Sequence, residues 1–146
     1  MLVQILVGAT VGALNIVIHA LLTVSTIRAA RSVAASRDTL HPWLRLVAIM
    51  IAAVLVLMIA HTVEVFVWTG AYALTGAAPD NADLAYFAFV NYTTLGYGDI
   101  TPVARWRLLG PMTAMNGVLL FGWSTAVIFE VLRKTISEHA SFASPS

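Results

Sequence analysis

Cysteine is absent from the 146-residue chain, which excludes disulfides and thiolate metal sites. Charge is scarce: Asp, Glu, Lys and Arg make up 10% of the residues, and hydrophobic residues 60%. A soluble domain carries about 25% charged and about 45–50% apolar residues, so this chain cannot coat a water-facing surface. That excludes an ordinary soluble enzyme, a disordered tail and a nucleic-acid binder with a basic face. No enzymatic activity, cofactor or nucleic-acid partner is expected. The first apolar stretch lacks an arginine series, so steep voltage gating is not expected. Eight basic and seven acidic residues nearly cancel to a net +1, so their placement matters more than their sum.

What remains is an integral membrane pattern. Apolar segments run over 2–27, 43–70 and about 108–132. Each exceeds the roughly 20 residues that cross a hydrocarbon core. The first lacks a charged leader and an obvious cleavage site, so it reads as a retained helix rather than a signal peptide. Arg28, Arg31 and Arg37 lie between the first two segments and Arg45 at the start of the second, and Arg133 and Lys134 follow the third, whereas 70–104 contains only Asp80, Asp83 and Asp99 as charges. The positive-inside rule puts the 28–42 linker and the 135–146 tail in the cytoplasm and Met1 outside. Arg105 and Arg107 run against that bias. The expected location is the cell membrane, multi-pass, with lipid as a partner. Trp43 suits the inner interface; Trp68, Tyr72 and Trp106 suit the outer one. The linker reads either as a short amphipathic helix or as a plain loop, and the stretch 137–146 as a loose tail.

The stretch between the second and third segments is not a plain loop. Pro79 is a break, Asp80 reads as an N-cap, and 81–93 as a short apolar pore helix. A half-length helix that ends in extended backbone is allowed in a bilayer only where protein or water covers that backbone. Residues 94–99 are Thr-Leu-Gly-Tyr-Gly-Asp. Glycines on both sides of a tyrosine open dihedrals that a Cβ disfavours. If the peptides alternate in hand, the carbonyls point to one side, and four copies make a ladder of oxygen cages. Such cages replace the hydration shell of a weakly hydrated monovalent cation.

The run 93–99 is similar to the selectivity-filter signature of the potassium channel superfamily, whose familiar form is TVGYG. The link from this motif to potassium comes from that resemblance and not from spacing. The resemblance covers roughly residues 43–134. It implies an all-α membrane fold: three transmembrane helices, a re-entrant pore helix and a filter loop per subunit, in a homotetramer. It implies K+ coordination by the carbonyls of Thr94, Leu95, Gly96 and Tyr97, with Gly98 at the outer mouth. Leu95 replaces the more usual valine. Asp99 matches the family's aspartate after the filter. Tyr86 and Phe87 stand where many members have bracing tryptophans, and Tyr86 can offer its hydroxyl to Asp99. Val90 replaces a glutamate found in some members. The resemblance also gives Glu64 a bracing role behind the filter, bonded to backbone N–H groups.

Gly117 falls at the family's hinge glycine; it either bends the inner helix (107–134) or lets it pack closely on the pore helix. Val118, Phe121 and Thr125 then line the cavity, with Phe129 near its inner end. Asn116 either bonds a neighbouring helix or meets the cavity. His61 and Glu64, one turn apart, leave proton sensing and metal binding open beside bracing. Gln4, Gly8, Gly12, Asn15 and His19 form one face of the first helix, a packing stripe on which Gly8 is expected to make room for Glu64 and Gly12 for His61; a regulatory role for His19 stays open. The function expected is passive, selective K+ conduction. The alternatives are a non-selective monovalent cation channel and an accessory or transporter-type membrane subunit.

Overall fold

The computed structural model describes residues 1–35 and 41–143. Three long helices, α1 (Leu2–Ala35), α2 (Pro42–Thr75) and α4 (Leu109–Ala143), are joined by a short one, α3 (Leu84–Tyr92), which packs on α2 and α4. A single 3-10 turn, Ala104–Trp106, precedes α4. The stretches Leu2–Arg28, Trp43–Thr75 and Leu109–Ser137 are each long and apolar enough to span a membrane. The described residues are all-helical, without strands.

The ends of these helices follow from local chemistry. Pro42 opens α2, where its missing N–H is no loss. Gly76 closes α2 in the left-handed region at φ 62, and its N–H reaches the Tyr72 carbonyl. α2 therefore runs past the expected end at 70. Pro111 is accommodated within the first turn of α4. At the far end the expected loose tail is helical as far as Ala143, and 144–146 lie outside the described residues. Glu130 pairs with Arg133 and Lys134, both at 2.9 Å, and the helix continues to Ala143. Pairs at these helical spacings support a helix after it leaves the apolar layer. Residues 28–35 of the linker continue α1, while 36–40, including Arg37, lie outside the described residues.

α1 and α4 run parallel in a fixed register. Gln4 Oε1 accepts the Leu108 N–H at 3.0 Å, Gly8 faces Met112 and Gly12 faces Asn116. The two glycines thus receive residues of α4, not Glu64 and His61 of α2 as expected. Farther along α1, Asn15 and His19 are the residues that meet Glu64. α2 runs antiparallel to both: Tyr72 meets Thr113 at 2.6 Å and His61 meets Ser124 at 2.8 Å. The start of α1 and the stretch 76–108 therefore lie on one side of the helix layer, and the end of α4 on the other.

Two apolar clusters are separated by a polar layer. One joins Trp68, Tyr72, Phe87, Tyr92, Trp106 and Leu109; the other joins Ile49, Ala53, Leu57, Val127 and Val131. Trp68 and Tyr72 are wholly buried and Trp106 is 8% exposed, so none of the three belongs to an interfacial belt. Their polar atoms are satisfied internally where the structure places them deepest: Trp68 Nε1 donates to Asn116 Oδ1 at 3.0 Å, and the Tyr72 and Thr113 hydroxyls bond each other. Trp43 remains exposed. The layer between the clusters holds Asn15, His19, His61, Glu64, Asn116 and Ser124.

Candidate functional site

The site is built on α3. Asp83, not Asp80, is its N-cap: the carboxylate accepts from the N–H groups of Ala85 (3.1 Å) and Tyr86 (3.0 Å). Asp80 lies within a turn in which the Ala82 N–H reaches the Pro79 carbonyl and Asn81 takes φ 65. That turn delays the helix start. At about 1.5 Å per residue, nine residues span roughly 13–14 Å, less than half a bilayer.

Beyond Tyr92 the chain uncoils. The N–H of Thr94 reaches the Asn91 carbonyl and that of Leu95 the Val90 carbonyl, which completes the last helical acceptors. The backbone then alternates in hand. Thr94, Gly96 and Gly98 have φ of 59, 62 and 76, whereas Leu95 and Tyr97 between them do not enter the positive region. In an ordinary strand successive carbonyls point to opposite sides. Inverting every second residue brings them toward one side. Glycine takes positive φ freely; Thr94, which is β-branched, does so only under constraint from its surroundings.

Residues 93–99 are exposed on the surface of a single chain, with Leu95 at 53% and Tyr97 at 68%. On the same chain Val118, Phe121, Thr125 and Phe129 of α4 are also exposed. Open backbone of this kind does not face lipid.

The outer end is tied down. The Tyr86 hydroxyl donates to Asp99 Oδ2 at 2.6 Å, and the Ile100 N–H donates to Asp99 Oδ1 at 3.0 Å. The bond to Asp99 pushes the Tyr86 hydroxyl up to about 12, and the same bond holds the Asp99 carboxyl below its ordinary range. The Val103 N–H reaches the Ala77 carbonyl at 2.9 Å, closing the path back to α4. Phe87 and Val90 are buried behind this face, with the Phe87 ring 4.8 Å from that of Tyr72.

α4 seats on the end of α3 through Gly117. A Cβ there would overlap the Tyr92 carbonyl, so close packing is the role this glycine has in the structure. Asn116 joins helices: its Oδ1 accepts from both Asn15 and Trp68 at 3.0 Å.

Glu64 is fully buried, and its partners are not backbone N–H groups. His19 Nδ1 lies 2.8 Å from Oε1 and His61 Nδ1 lies 3.1 Å from Oε2. The Tyr92 hydroxyl donates to Oε2 as well. α3 presents a side chain at this depth, not a free helix start, so side chains take the place of the expected amides. His61 Nε2 and His19 Nε2 then converge on Ser124 Oγ, at 2.8 and 3.4 Å. The His19, His61 and Glu64 ligand atoms lie within 4.8 Å of one another, with every ring nitrogen already set against an oxygen. Sequence reasoning missed Tyr92 and Ser124. The signal for Tyr92 was its place at the end of the pore helix, directly before the filter run; Ser124 had none.

Residues 60–134, just over half of the chain, match the model of a family described as ion channel. No curated protein and no solved structure matches the chain.

Proposed function

Because the chain belongs to the ion channel family and is a multi-pass membrane protein, we propose that it conducts potassium selectively through a filter shared by four copies. The observation that carries this reading is the alternation of backbone hand at Thr94, Gly96 and Gly98, immediately after a half-length helix. Carbonyls of Thr94, Leu95, Gly96 and Tyr97 then face one side. One chain supplies one strand, so a ring of oxygens around a dehydrated cation requires copies around an axis.

The exposed face of the protomer supports the same arrangement. Residues 93–98 and the Val118, Phe121 and Thr125 surface of α4 lie open in one chain and need cover in a bilayer. In a homotetramer the filter strands meet at the axis and those α4 side chains line the cavity below. The C-terminal end of α3 directs its partly negative end toward the ion path, which lowers the energy of a cation there. The Tyr86–Asp99 bond holds the outer mouth. K+ is the permeant ion, and no cofactor is required. Met1 and the filter mouth lie outside and the end of α4 in the cytoplasm, by the distribution of Arg28, Arg45, Arg133 and Lys134.

Flux from liposomes holding the purified protein tests this reading with K+, Rb+, Na+ and Li+ in turn. K+ and Rb+ are expected to pass and Na+ and Li+ to be retained. Equal passage of all four would show a non-selective pore, and no passage of any would show a non-conducting subunit.

A further inference from the structure

Where α3 ends, all four helices send polar side chains into one layer. α1 contributes His19, α2 His61 and Glu64, α3 Tyr92, and α4 Ser124. None of them belongs to the filter backbone. They satisfy one another by hydrogen bonds. The Tyr92 hydroxyl sits between Glu64 Oε2 and His61 Nδ1, 2.9 Å from the latter, and Ser124 Oγ sits between the two Nε2 atoms. The layer is therefore complete as protein alone, and its donor atoms are in place before any ion arrives.

The arrangement of these donors matches a coordination shell. His61 and Glu64, three residues apart on α2, bring Nδ1 and Oε2 to 3.1 Å. The Tyr92 hydroxyl closes a triangle with them, and His19 Nδ1 lies 2.8 Å from Glu64 Oε1. The ligand atoms of His19, His61 and Glu64 all lie within 4.8 Å of one another. Metal–ligand bonds of about 2.0–2.2 Å give tetrahedral edges of about 3.3–3.6 Å, which these spacings bracket. With both Nδ1 atoms on an ion, each Nε2 carries a proton. Ser124 Oγ has two lone pairs to receive them, at 2.8 and 3.4 Å. An outer acceptor of this kind fixes the tautomer and orientation of ligating histidines. Charge balances as well. The Glu64 carboxylate and a Tyr92 phenolate offset a divalent ion, so the loaded site is neutral in a low dielectric. The phenol proton leaves for solvent as the ion enters. Two imidazoles favour a transition ion over Mg2+ or Ca2+, which take oxygen ligands.

We propose that His19, His61, Glu64 and Tyr92 bind one divalent transition metal ion of the Zn2+ type, with Ser124 as the outer acceptor for both imidazoles. The site does not depend on the channel reading. Its ligands come from α1, α2 and α3, so the ion staples three helices at the residue directly before the run 93–99. His19 and Glu64 side chains are fully buried, while that of His61 is 16% exposed beside the Phe121 ring, 4.7 Å away, which leaves one edge open for entry. An ion that binds the folded chain alone stabilises it by mass action.

The test uses the full-length protein in detergent, dialysed against a chelator and then titrated with Zn2+, with Co2+ as a spectroscopic probe. The wild type is expected to hold one Zn2+ per chain by elemental analysis and to unfold at a higher temperature with Zn2+ than without. Co2+ in its place is expected to show the visible absorption of a tetrahedral site. Glu64→Gln and His19→Gln each remove one ligand and are expected to lose all three signals. Ser124→Ala keeps every ligand and is expected to bind one ion about 10–100-fold more weakly. Tyr92→Phe keeps the ring without the oxygen and is expected to change the Co2+ spectrum. Wild-type protein that takes up no Zn2+ would overturn the site, whatever the variants do. Uptake that is equal in the wild type, Glu64→Gln and His19→Gln would show an adventitious ion only and overturn it as well. A Co2+ spectrum unchanged by Tyr92→Phe would overturn the fourth ligand.

Discussion

Gly117→Ala adds one methyl group at the place where α4 rests on α3. The added Cβ overlaps the Tyr92 carbonyl oxygen, lies 3.0 Å from the carbonyl carbon and 3.3 Å from the ring Cδ1. The obstructing atoms are backbone at a helix end, which no rotamer change can clear. Overpacking of a tight contact costs about 1–3 kcal/mol, and this case belongs in the upper half of that range. Alanine recovers about 1 kcal/mol of helix propensity over glycine. The net expectation is a loss of about 1–2 kcal/mol per chain, together with a displaced filter base. Gly70→Ala serves as the control, because nothing lies within 4 Å of a Cβ there. Thermal unfolding of both variants in detergent reads the difference: Gly117→Ala should melt below the wild type and Gly70→Ala at or above it. A Gly117→Ala protein as stable as the wild type, with altered gating alone, would refute the packing argument and restore the hinge reading.

Other expectations follow from single contacts. Tyr86→Phe removes the donor to Asp99. A carboxyl held low in the folded state stabilises it above the ordinary carboxyl range and ceases to do so as pH falls through the lowered value. The variant should therefore lose sustained K+ flux at a higher pH than the wild type during acid titration; identical acid profiles would count against the bond. Asn116→Leu leaves Trp68 Nε1 without its acceptor and Asn15 Nδ2 with the Glu64 carbonyl alone, and should lower stability by about 1–2 kcal/mol in thermal unfolding. Gly96→Ala places a Cβ at φ 62, about 1–2 kcal/mol of strain in each chain, and should abolish K+ flux with the oligomer retained on size exclusion. Because the chain lacks cysteine, single cysteines report sidedness: residues introduced at Leu2 and Asp80 should label from one side of the membrane and one at Lys134 from the other.

Much of this architecture was legible because it is written in long apolar runs and in backbone chemistry. Three long apolar stretches need no knowledge of which face packs where. The glycines at 96 and 98 mark an unusual backbone by themselves, and the Tyr86–Asp99 bond was to be expected from the resemblance to the potassium channel filter. Facing, by contrast, was hidden. α2 is apolar nearly all round, so no stripe says which side turns inward, and the stripe on α1 does not say which helix it meets. Trp68 and Tyr72 look like interfacial anchors until a partner such as Asn116 or Thr113 is known. Gly8 and Gly12 were rightly read as points of close approach, but the helix they admit is fixed by the register of α1 against α4. The distant partners of Glu64 were illegible for the same reason: His19 comes from α1 and Tyr92 from α3, and only the assembled bundle brings both to one acid. The cap shifted from Asp80 to Asp83 because the Pro79–Ala82 turn took up the intervening residues.

A density map of the purified protein in potassium and lipid tests the central claim most directly. Four copies around an axis are expected, with a row of ion densities bounded by the carbonyls of residues 94–97 and the Tyr86–Asp99 bonds outside them. A single protomer in the bilayer, or strands turned away from any shared axis, would contradict it.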